Sequence, residues 1–146
     1  MNGNNATLNE ILATFTAISQ HHAQINDIFI GTPDQIDQST RQFPLVVVDV
    51  MPGRMFQFME EWKFRIYIFD LEKEDNSNRY EIQSDARQIL RDIVLALIYI
   101  YSLDAKWEAL TTVFEEQLDS FCSGMYMDLA INVPNSNGVC DFPTKN

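Results

Sequence analysis

The sequence predicts one α+β domain in which a mostly antiparallel β-sheet packs against one or two α-helices and carries a long β-hairpin. Two segments repeat apolar residues at helical spacing, one near the N-terminus and one after residue 84. Between them, apolar and polar residues alternate from Phe56 to Phe69, which is typical of a long strand. The length of 146 residues and the hydrophobic fraction of 46% fit a single core. We therefore expect one domain over residues 1–146, with a loosely packed tail at residues 135–146.

The charge balance argues against binding to nucleic acid. The chain has 21 Asp and Glu residues against 10 Lys and Arg residues, for a formal net charge of −11. Affinity for DNA depends largely on basic side chains that neutralise phosphates, and no basic cluster is present. The same balance disfavours binding to an anionic membrane.

No segment of the sequence predicts a membrane span or a secretion signal. The longest apolar run, Ile93 to Tyr101, is far shorter than the roughly 20 residues that a spanning helix needs. Residues 1–9 contain no Lys or Arg of the kind that precedes a signal sequence. We expect synthesis and folding in a cytoplasm.

Two helices are predicted from caps and apolar stripes. Thr7 and Glu10 fit a capping box, which starts a helix that runs to about His22 or Gln24. Its apolar stripe is Leu8, Ile11, Leu12, Phe15 and Ile18. Ser84 is the expected cap of a second helix, which contains the main apolar stripe of the core. That stripe is Ala86, Ile89, Leu90, Ile93, Val94, Leu97, Ile98 and Tyr101.

The first strands are predicted from short apolar segments that end at turn residues. Residues 28–30 form one of these segments, and a polar loop follows to about residue 42. Residues 45–48 are all apolar, which predicts an interior strand covered on both faces, with Pro52 and Gly53 as its stop. A turn at residues 51–55 would then connect it to an antiparallel strand at residues 56–69. A polar loop from Glu72 to Asn78 ends that strand.

The sequence predicts an extended backbone for much of the C-terminal third. Residues 111–121 and the alternating segment 125–133 predict two strands, or one bent strand. Ser123 and Gly124 between them predict a bulge, and Pro134 predicts the end of the second strand. The tail, residues 135–146, offers Val139 and Phe142 as anchors.

The sequence contains no recognisable motif for catalysis, cofactor binding or metal binding. His21 and His22 lack the further ligands that a zinc site needs, so we expect them at a solvated helix end. The paired carboxylates, such as Glu60 and Glu61, are expected to be surface charge. Glycines are too widely separated for a phosphate-binding loop. We therefore expect a protein that is not an enzyme and has no cofactor and no metal.

The two cysteines and the aromatic row also have ordinary interpretations. Cys122 and Cys140 are expected as reduced thiols, although one disulfide between them stays open. The even positions 56, 58, 62 and 64 are all aromatic, as in platforms that stack nucleic-acid bases. Such platforms come with basic grooves, whereas here only Lys63 and Arg65 lie nearby. Core packing is therefore the expected role of this row.

The order of elements and two segments resemble neck proteins of tailed bacteriophages. One segment is Ser84-Asp85-Ala86-Arg87, which opens the second helix, and the other is Phe121 to Leu129, with the sequence FCSGMYMDL. The chain from about Thr7 to Val133 looks like the tail-terminator, tail-completion or head-tail connector group. It is similar to ring proteins of crAss-like phages.

This resemblance implies a structural virion protein rather than a catalyst. It implies a homo-oligomeric ring of six or twelve copies in the neck or tail, next to portal, connector and tail proteins. DNA would pass through the ring without specific binding, and an acidic lumen would repel its phosphates. The expected contact surfaces are the C-terminal tail, the polar face of the long strand and the loop that follows it. The residues expected at these subunit interfaces are Glu61, Lys63, Arg65, Glu72, Lys73, Glu74, Asp75 and Arg79.

Two other functions remain open at this point. A small non-catalytic module could bind a protein or a ligand on the open face of its sheet. An enzyme would need a site assembled from scattered acids such as Asp49, Glu61 and Asp128. The first alternative predicts a monomer or dimer, and the second predicts an acidic pocket or a metal requirement.

Overall fold

The described part of the chain consists of two α-helices, six β-strands and two short 3-10 turns. The computed structural model describes residues 6–107, 112–115, 122–134 and 145. The helices are α1 (Leu8–His21) and α2 (Arg79–Tyr99). The strands are β1 (Asp27–Ile30), β2 (Leu45–Met55), β3 (Met59–Leu71), β4 (Asp104–Trp107), β5 (Thr112–Glu115) and β6 (Cys122–Pro134). The 3-10 turns, Pro33–Gln35 and Gln38–Thr40, lie between β1 and β2.

All six strands belong to one sheet, so the predicted α+β class is confirmed. The strand order is β1-β2-β3-β6-β4, and β5 also pairs with β6. Only the pairing of β1 with β2 is parallel, and the four other pairings are antiparallel. The sheet is therefore mixed and mostly antiparallel.

Helix α1 begins where its cap predicts. The Thr7 hydroxyl accepts a hydrogen bond from the Glu10 amide at 3.3 Å, which satisfies one of the free amides of the first turn. The buried residues Ile11, Phe15 and Ile18 hold one face of this helix on the core. Its end at His21 agrees with the predicted end to within a residue.

Helix α2 begins at Arg79, so the prediction of a start at Ser84 is wrong. The Ile82 amide already bonds to the Asn78 carbonyl oxygen at 3.0 Å, and Ile82 is buried on the same stripe as Ala86. The preceding loop is closed by the Asn78 side chain, which accepts from the Lys73 amide and donates to the Leu71 carbonyl oxygen. The helix starts early because this loop positions its first turn.

The face of the sheet that α1 and α2 cover contains the main core. Because side chains alternate along a strand, this face takes the even positions of β3 and the odd positions of β6. Phe64 lies edge-on to Phe15 of α1, with 5.2 Å between ring centroids. The fully buried strand residues of this core are Val46, Val48, Phe64, Ile66 and Ile131.

The opposite face, called here the second face, is half apolar and half charged. Leu45, Val47, Tyr67, Phe69 and Cys122 form a second buried cluster there. Ile36 and Phe43, in the connection between β1 and β2, pack onto it. The prediction that the odd positions of the long strand face solvent is therefore wrong for Tyr67 and Phe69. All four residues 45–48 are buried, as predicted for an interior strand.

Strand β2 runs through Pro52 and Gly53 and ends at Met55, so the predicted stop at these two residues is wrong. The register changes between Met51 and Arg54, which places Pro52 and Gly53 opposite Trp62 in a β-bulge. A side chain on Gly53 would overlap the Glu61 carbonyl oxygen. The hairpin turn consequently lies at residues 56–58 rather than 51–55, and the Phe56 amide bonds to the Met59 carbonyl oxygen.

Strand β6 is continuous from Cys122 to Pro134. Its register with β3 stays constant past Gly124, so the predicted bulge there is wrong, while the end at Pro134 is confirmed. β4 is a strand that the sequence interpretation did not predict. Of the predicted extended segment 111–121, residues 112–115 form β5, and residues 111 and 116–121 lie outside the described residues. The predicted tail lies there too, apart from residue 145.

Candidate assembly surfaces

The predicted interface residues of β3 lie together on the charged half of the second face. Arg65 Nε and Nη2 donate to the two carboxylate oxygens of Asp128 on β6, at 2.7 and 3.1 Å. The Arg65 guanidinium also lies over the Tyr126 ring, 4.8 Å from its centroid. The hydrogen bond to Asp128 raises the pKa of Arg65 above its ordinary value. This pair divides the apolar half from the charged half.

Asp49 lies across from Arg65 on the neighbouring strand β2. Partial burial raises the pKa of Asp49, the positive charge of Arg65 opposes that change, and Asp34 adds to it. Asp49 and Asp128, two of the acids that a catalytic site would need, therefore both lie next to Arg65. This arrangement balances charge across the strands.

Glu61 and Lys63 lie beside this pair, closer to the hairpin turn. Their Oε1 and Nζ atoms are 3.7 Å apart, too far for a hydrogen bond. Among the described residues, buried Glu61 Oε1 has no hydrogen-bond partner, and the same holds for Oδ1 of its cross-strand neighbour Asn132. A cavity of about 420 Å³ opens here between β2, β3, β6 and β4.

The loop after β3 is fixed to the body of the protein by an ion pair. Arg79 Nε and Nη2 donate to the two carboxylate oxygens of Glu72, at 2.7 and 3.1 Å. The Glu72 side chain is only 2% exposed. The hydrogen bond from Arg79 lowers the pKa of Glu72, against the opposing effect of burial. These two predicted interface residues bind each other within one chain.

The three other predicted interface residues of this loop are exposed. Lys73, Glu74 and Asp75 all present their side chains to solvent. Hydrogen bonds from Ser77 lower the pKa of Asp75, so its carboxylate stays charged in mildly acidic solution. The loop has a defined shape, because Asn76 adopts a positive φ of 57° and the Ser77 amide donates to Asp75.

The structure does not bring the two groups of predicted interface residues together. The charged half lies toward the hairpin turn, whereas the loop follows Leu71 at the other end of β3. Lys63 and Leu71 are eight positions apart on one strand, which corresponds to about 26 Å. If both groups make subunit contacts, they make two separate ones.

The hairpin turn carries exposed apolar side chains, two of which, Phe56 and Phe58, are predicted in the core. Met55 is 79% exposed, Phe58 is 74% exposed, and Phe56 is 44% exposed. Of the predicted aromatic row, Phe64 is buried and Trp62 is partly buried against the main core. The signal that separates the two groups is Pro52-Gly53, because the bulge moves the turn to residues 56–58.

The remaining candidate residues have structural roles. His22 Nδ1 accepts from the Gln24 amide, and His22 Nε2 lies 2.9 Å from Asp92 on α2. The prediction of a solvated helix end is therefore wrong for His22, which joins the two helices. Burial, together with the nearby Asp70 and Glu72, raises the pKa of the Cys122 thiol to about 11. That thiol is protonated at neutral pH and is a poor nucleophile.

Neither a metal cluster nor a membrane-spanning helix is found in the parts of the chain that the structure describes. No three His, Cys, Asp or Glu residues among them come close enough to hold a metal ion. None of their helices has the length and apolar character needed to cross a bilayer. Cys140 lies outside the described residues, so its predicted state is not addressed.

The sequence matches no protein-family model and no curated protein. The function must therefore be inferred from the fold, the charges and the exposed surfaces of this chain.

Proposed function

We propose that this chain is a structural virion protein that forms an oligomeric ring in the neck or tail of a phage. The ring would have six or twelve copies, with DNA passing through its centre and portal, connector and tail proteins as neighbours. The support from sequence is the resemblance of residues 7–133 to phage neck proteins. In this proposal the protein is made in the host cytoplasm and acts by assembly rather than catalysis.

The observation that carries the proposal is the apolar turn of the β2–β3 hairpin. Met55, Phe56 and Phe58 are all exposed in or next to one turn. A single exposed apolar residue is ordinary, but a group of them in one place is typical of a protein contact. Burying them in a neighbouring subunit would stabilise an assembly by about 25 cal/mol per Å² of apolar surface removed from water.

The charged half of the second face supports a contact of a different kind. Glu61 and Lys63 lie on the same end of the sheet as the apolar turn, and Arg65 lies midway along β3. Charged groups around an apolar contact set its orientation and its specificity more than its affinity. A ring subunit needs such orientation, because a heterologous contact closes only at a defined angle.

The net charge of −11 is compatible with a DNA passage. In the proposed ring, carboxylates around the lumen repel phosphates, so DNA moves through without adhering. Replacing lumen carboxylates by Lys would then slow genome ejection. Unchanged ejection in such variants would count against an electrostatic role of the lumen.

The proposal is tested by measuring the mass of the purified chain with light scattering over a wide concentration range. The same samples are examined by negative-stain microscopy. Closed rings of six or twelve copies are the expected result. The variant Phe58→Gln should weaken ring formation, because it places an amide where the contact is apolar. Tyr80→Gln is the matched control, since Tyr80 is an equally exposed aromatic residue on α2.

Two outcomes would contradict the proposal. One is a monomer or dimer at every concentration, without rings in the microscope, which would favour a small non-catalytic binding module. The other is an assembly that Phe58→Gln and Tyr80→Gln affect equally, which would exclude the hairpin turn as the contact.

A further inference from the structure

The cavity on the charged half of the second face has the composition of a ligand site. Its volume of about 420 Å³ lies in the range of small-molecule sites, roughly 300 to 1,000 Å³. On the second face, its wall combines the apolar side chains of Met51, Pro52 and Ala130 with charged ones, whereas Phe64 and Leu129 have their side chains in the main core. The lining residues are Met51, Pro52, Glu61, Lys63, Phe64, Lys106, Asp128, Leu129 and Ala130.

The charged groups around this cavity differ in how they are paired. Asp128 is held by Arg65 through two hydrogen bonds, so its charge is already balanced. Glu61 and Lys63 form a longer ion pair without a hydrogen bond, and Lys106 adds a further positive charge. Lys63 and Lys106 both lie next to Ala130 in the ladder of paired strands, one on each side of it. Two ammonium groups therefore approach the cavity from opposite strands.

Glu61 supplies a complementary negative group. Its side chain is 19% exposed, and its Oε1 atom lies 3.7 Å from Lys63 Nζ, too far for a hydrogen bond. A ligand ammonium group at this carboxylate would make a charge-assisted hydrogen bond. The cavity thus offers two cations and one anion beside the apolar side chains of Met51 and Pro52.

We infer that this cavity binds a small zwitterionic amino-carboxylate with an apolar side chain. The carboxylate lies between Lys63 and Lys106, the ammonium group donates to the Glu61 carboxylate, and the apolar part packs on Met51 and Pro52. Charge-assisted hydrogen bonds of this kind are stronger than neutral ones.

The net charge of the protein favours a zwitterion over a simple anion. A chain of −11 repels a free anion at long range, although two lysines would attract it at short range. A zwitterion has no net charge and avoids this repulsion. A simple cation would meet two ammonium groups in the cavity. The inference does not depend on the proposed ring, because it concerns a cavity within one chain.

The test is a titration of the ¹⁵N-labelled chain with L-leucine, followed by heteronuclear NMR. Two matched compounds each lack one charged group: 4-methylpentanoate has no ammonium group, and 3-methylbutylamine has no carboxylate. Leucine should shift the amide signals of Glu61, Lys63, Lys106 and Ala130 in a saturable way. Each matched compound should bind at least about tenfold more weakly, the equivalent of one lost charged contact.

Variants assign the charged groups. Glu61→Gln and Lys106→Met should each weaken leucine binding at least about tenfold, whereas Lys106→Arg should retain it. Lys73→Met removes the same charge from the distant loop and should change nothing, and the amide spectrum of each variant reports whether it is folded. The inference is overturned if leucine produces no saturable shifts. It is also overturned if both matched compounds bind as tightly as leucine, or if a folded Lys106→Met variant binds normally.

Discussion

Two ion pairs in this protein have the same geometry but very different burial, which allows a direct test of what burial contributes. Arg79 with Glu72 and Arg65 with Asp128 each form two hydrogen bonds, of 2.7 and 3.1 Å. The Glu72 side chain is 2% exposed, whereas that of Asp128 is 61% exposed. The perturbations are the near-isosteric changes Glu72→Gln and Asp128→Asn. Each removes one negative charge and leaves a neutral acceptor.

The expected costs follow from the surroundings of each carboxylate. Removing one partner of a buried pair leaves the other charge without compensation, and hydrogen bonds between charged groups contribute about 1.5–3 kcal/mol. Arg79 is a quarter exposed, which allows water to compensate in part. Glu72→Gln should therefore lower the free energy of unfolding by about 2 kcal/mol. Asp128→Asn should lower it by about 0–1 kcal/mol, as is usual for exposed pairs.

The assay is urea unfolding followed by circular dichroism, repeated between neutral and acidic pH. The folded pKa of Glu72 lies below its ordinary value of 4.5. A carboxylate whose pKa is lowered by folding stabilises the protein above its unfolded pKa, and this stabilisation is lost as the pH falls through the folded pKa. The difference between wild type and Glu72→Gln should be largest at neutral pH and should shrink below about pH 4.5.

Two results would refute this reasoning. Equal costs for Glu72→Gln and Asp128→Asn would mean that burial does not decide the contribution of these pairs. A difference that stays constant down to the lowest pH at which the protein folds would mean that the charge of Glu72 is not what stabilises the loop.

Three further changes test other parts of the fold by the same unfolding assay. Gly53→Ala should destabilise the protein by about 1–3 kcal/mol, because the new methyl group overlaps the Glu61 carbonyl oxygen. Pro52→Ala in the same bulge should destabilise it less. Equal effects of the two changes would contradict the bulge geometry. Phe69→Ala should lower the free energy of unfolding by about 3–5 kcal/mol, since the Phe69 side chain is fully buried in the second cluster. Phe58→Ala should change it by less than about 0.5 kcal/mol. A large effect of Phe58→Ala would mean that Phe58 is buried in the core. Thr7→Ala should cost about 1 kcal/mol through loss of the helix cap, and Thr7→Ser, which keeps the hydroxyl, should recover most of it.

The sequence predicts those elements whose signal is local. The cap at Thr7 locates the start of α1 because its hydroxyl bonds to an amide only three residues away. The apolar segment 45–48 predicts an interior strand because both of its faces are covered. The strand alternation correctly places Phe64 in the main core. In these cases, side chains within a few positions determine the result.

Features that depend on distant residues were not predictable in this way. Tyr67 and Phe69 are buried because the connection between β1 and β2 folds over them, and nothing within β3 indicates this. The early start of α2 depends on the ion pair between Glu72 and Arg79, which closes the loop of residues 73–78. The sequence predicts the charged residues of β3 as an interface, which stays a prediction, and the cavity beside them also needs Lys106 from β4, a strand that was not predicted.

The short pairing between β1 and β2 also determines how another chain can approach the hairpin. β1 pairs with β2 only as far as Val48, so within the described residues the rest of β2 pairs with β3 alone. An open strand edge of this kind invites a further strand from another molecule. Here Pro52 lacks an amide hydrogen, and the bulge at Gly53 bends the edge, so the backbone there is poorly suited to strand addition. In the proposed ring, a neighbouring subunit would therefore contact this end through side chains, and those available are the apolar turn and the charged half of the second face.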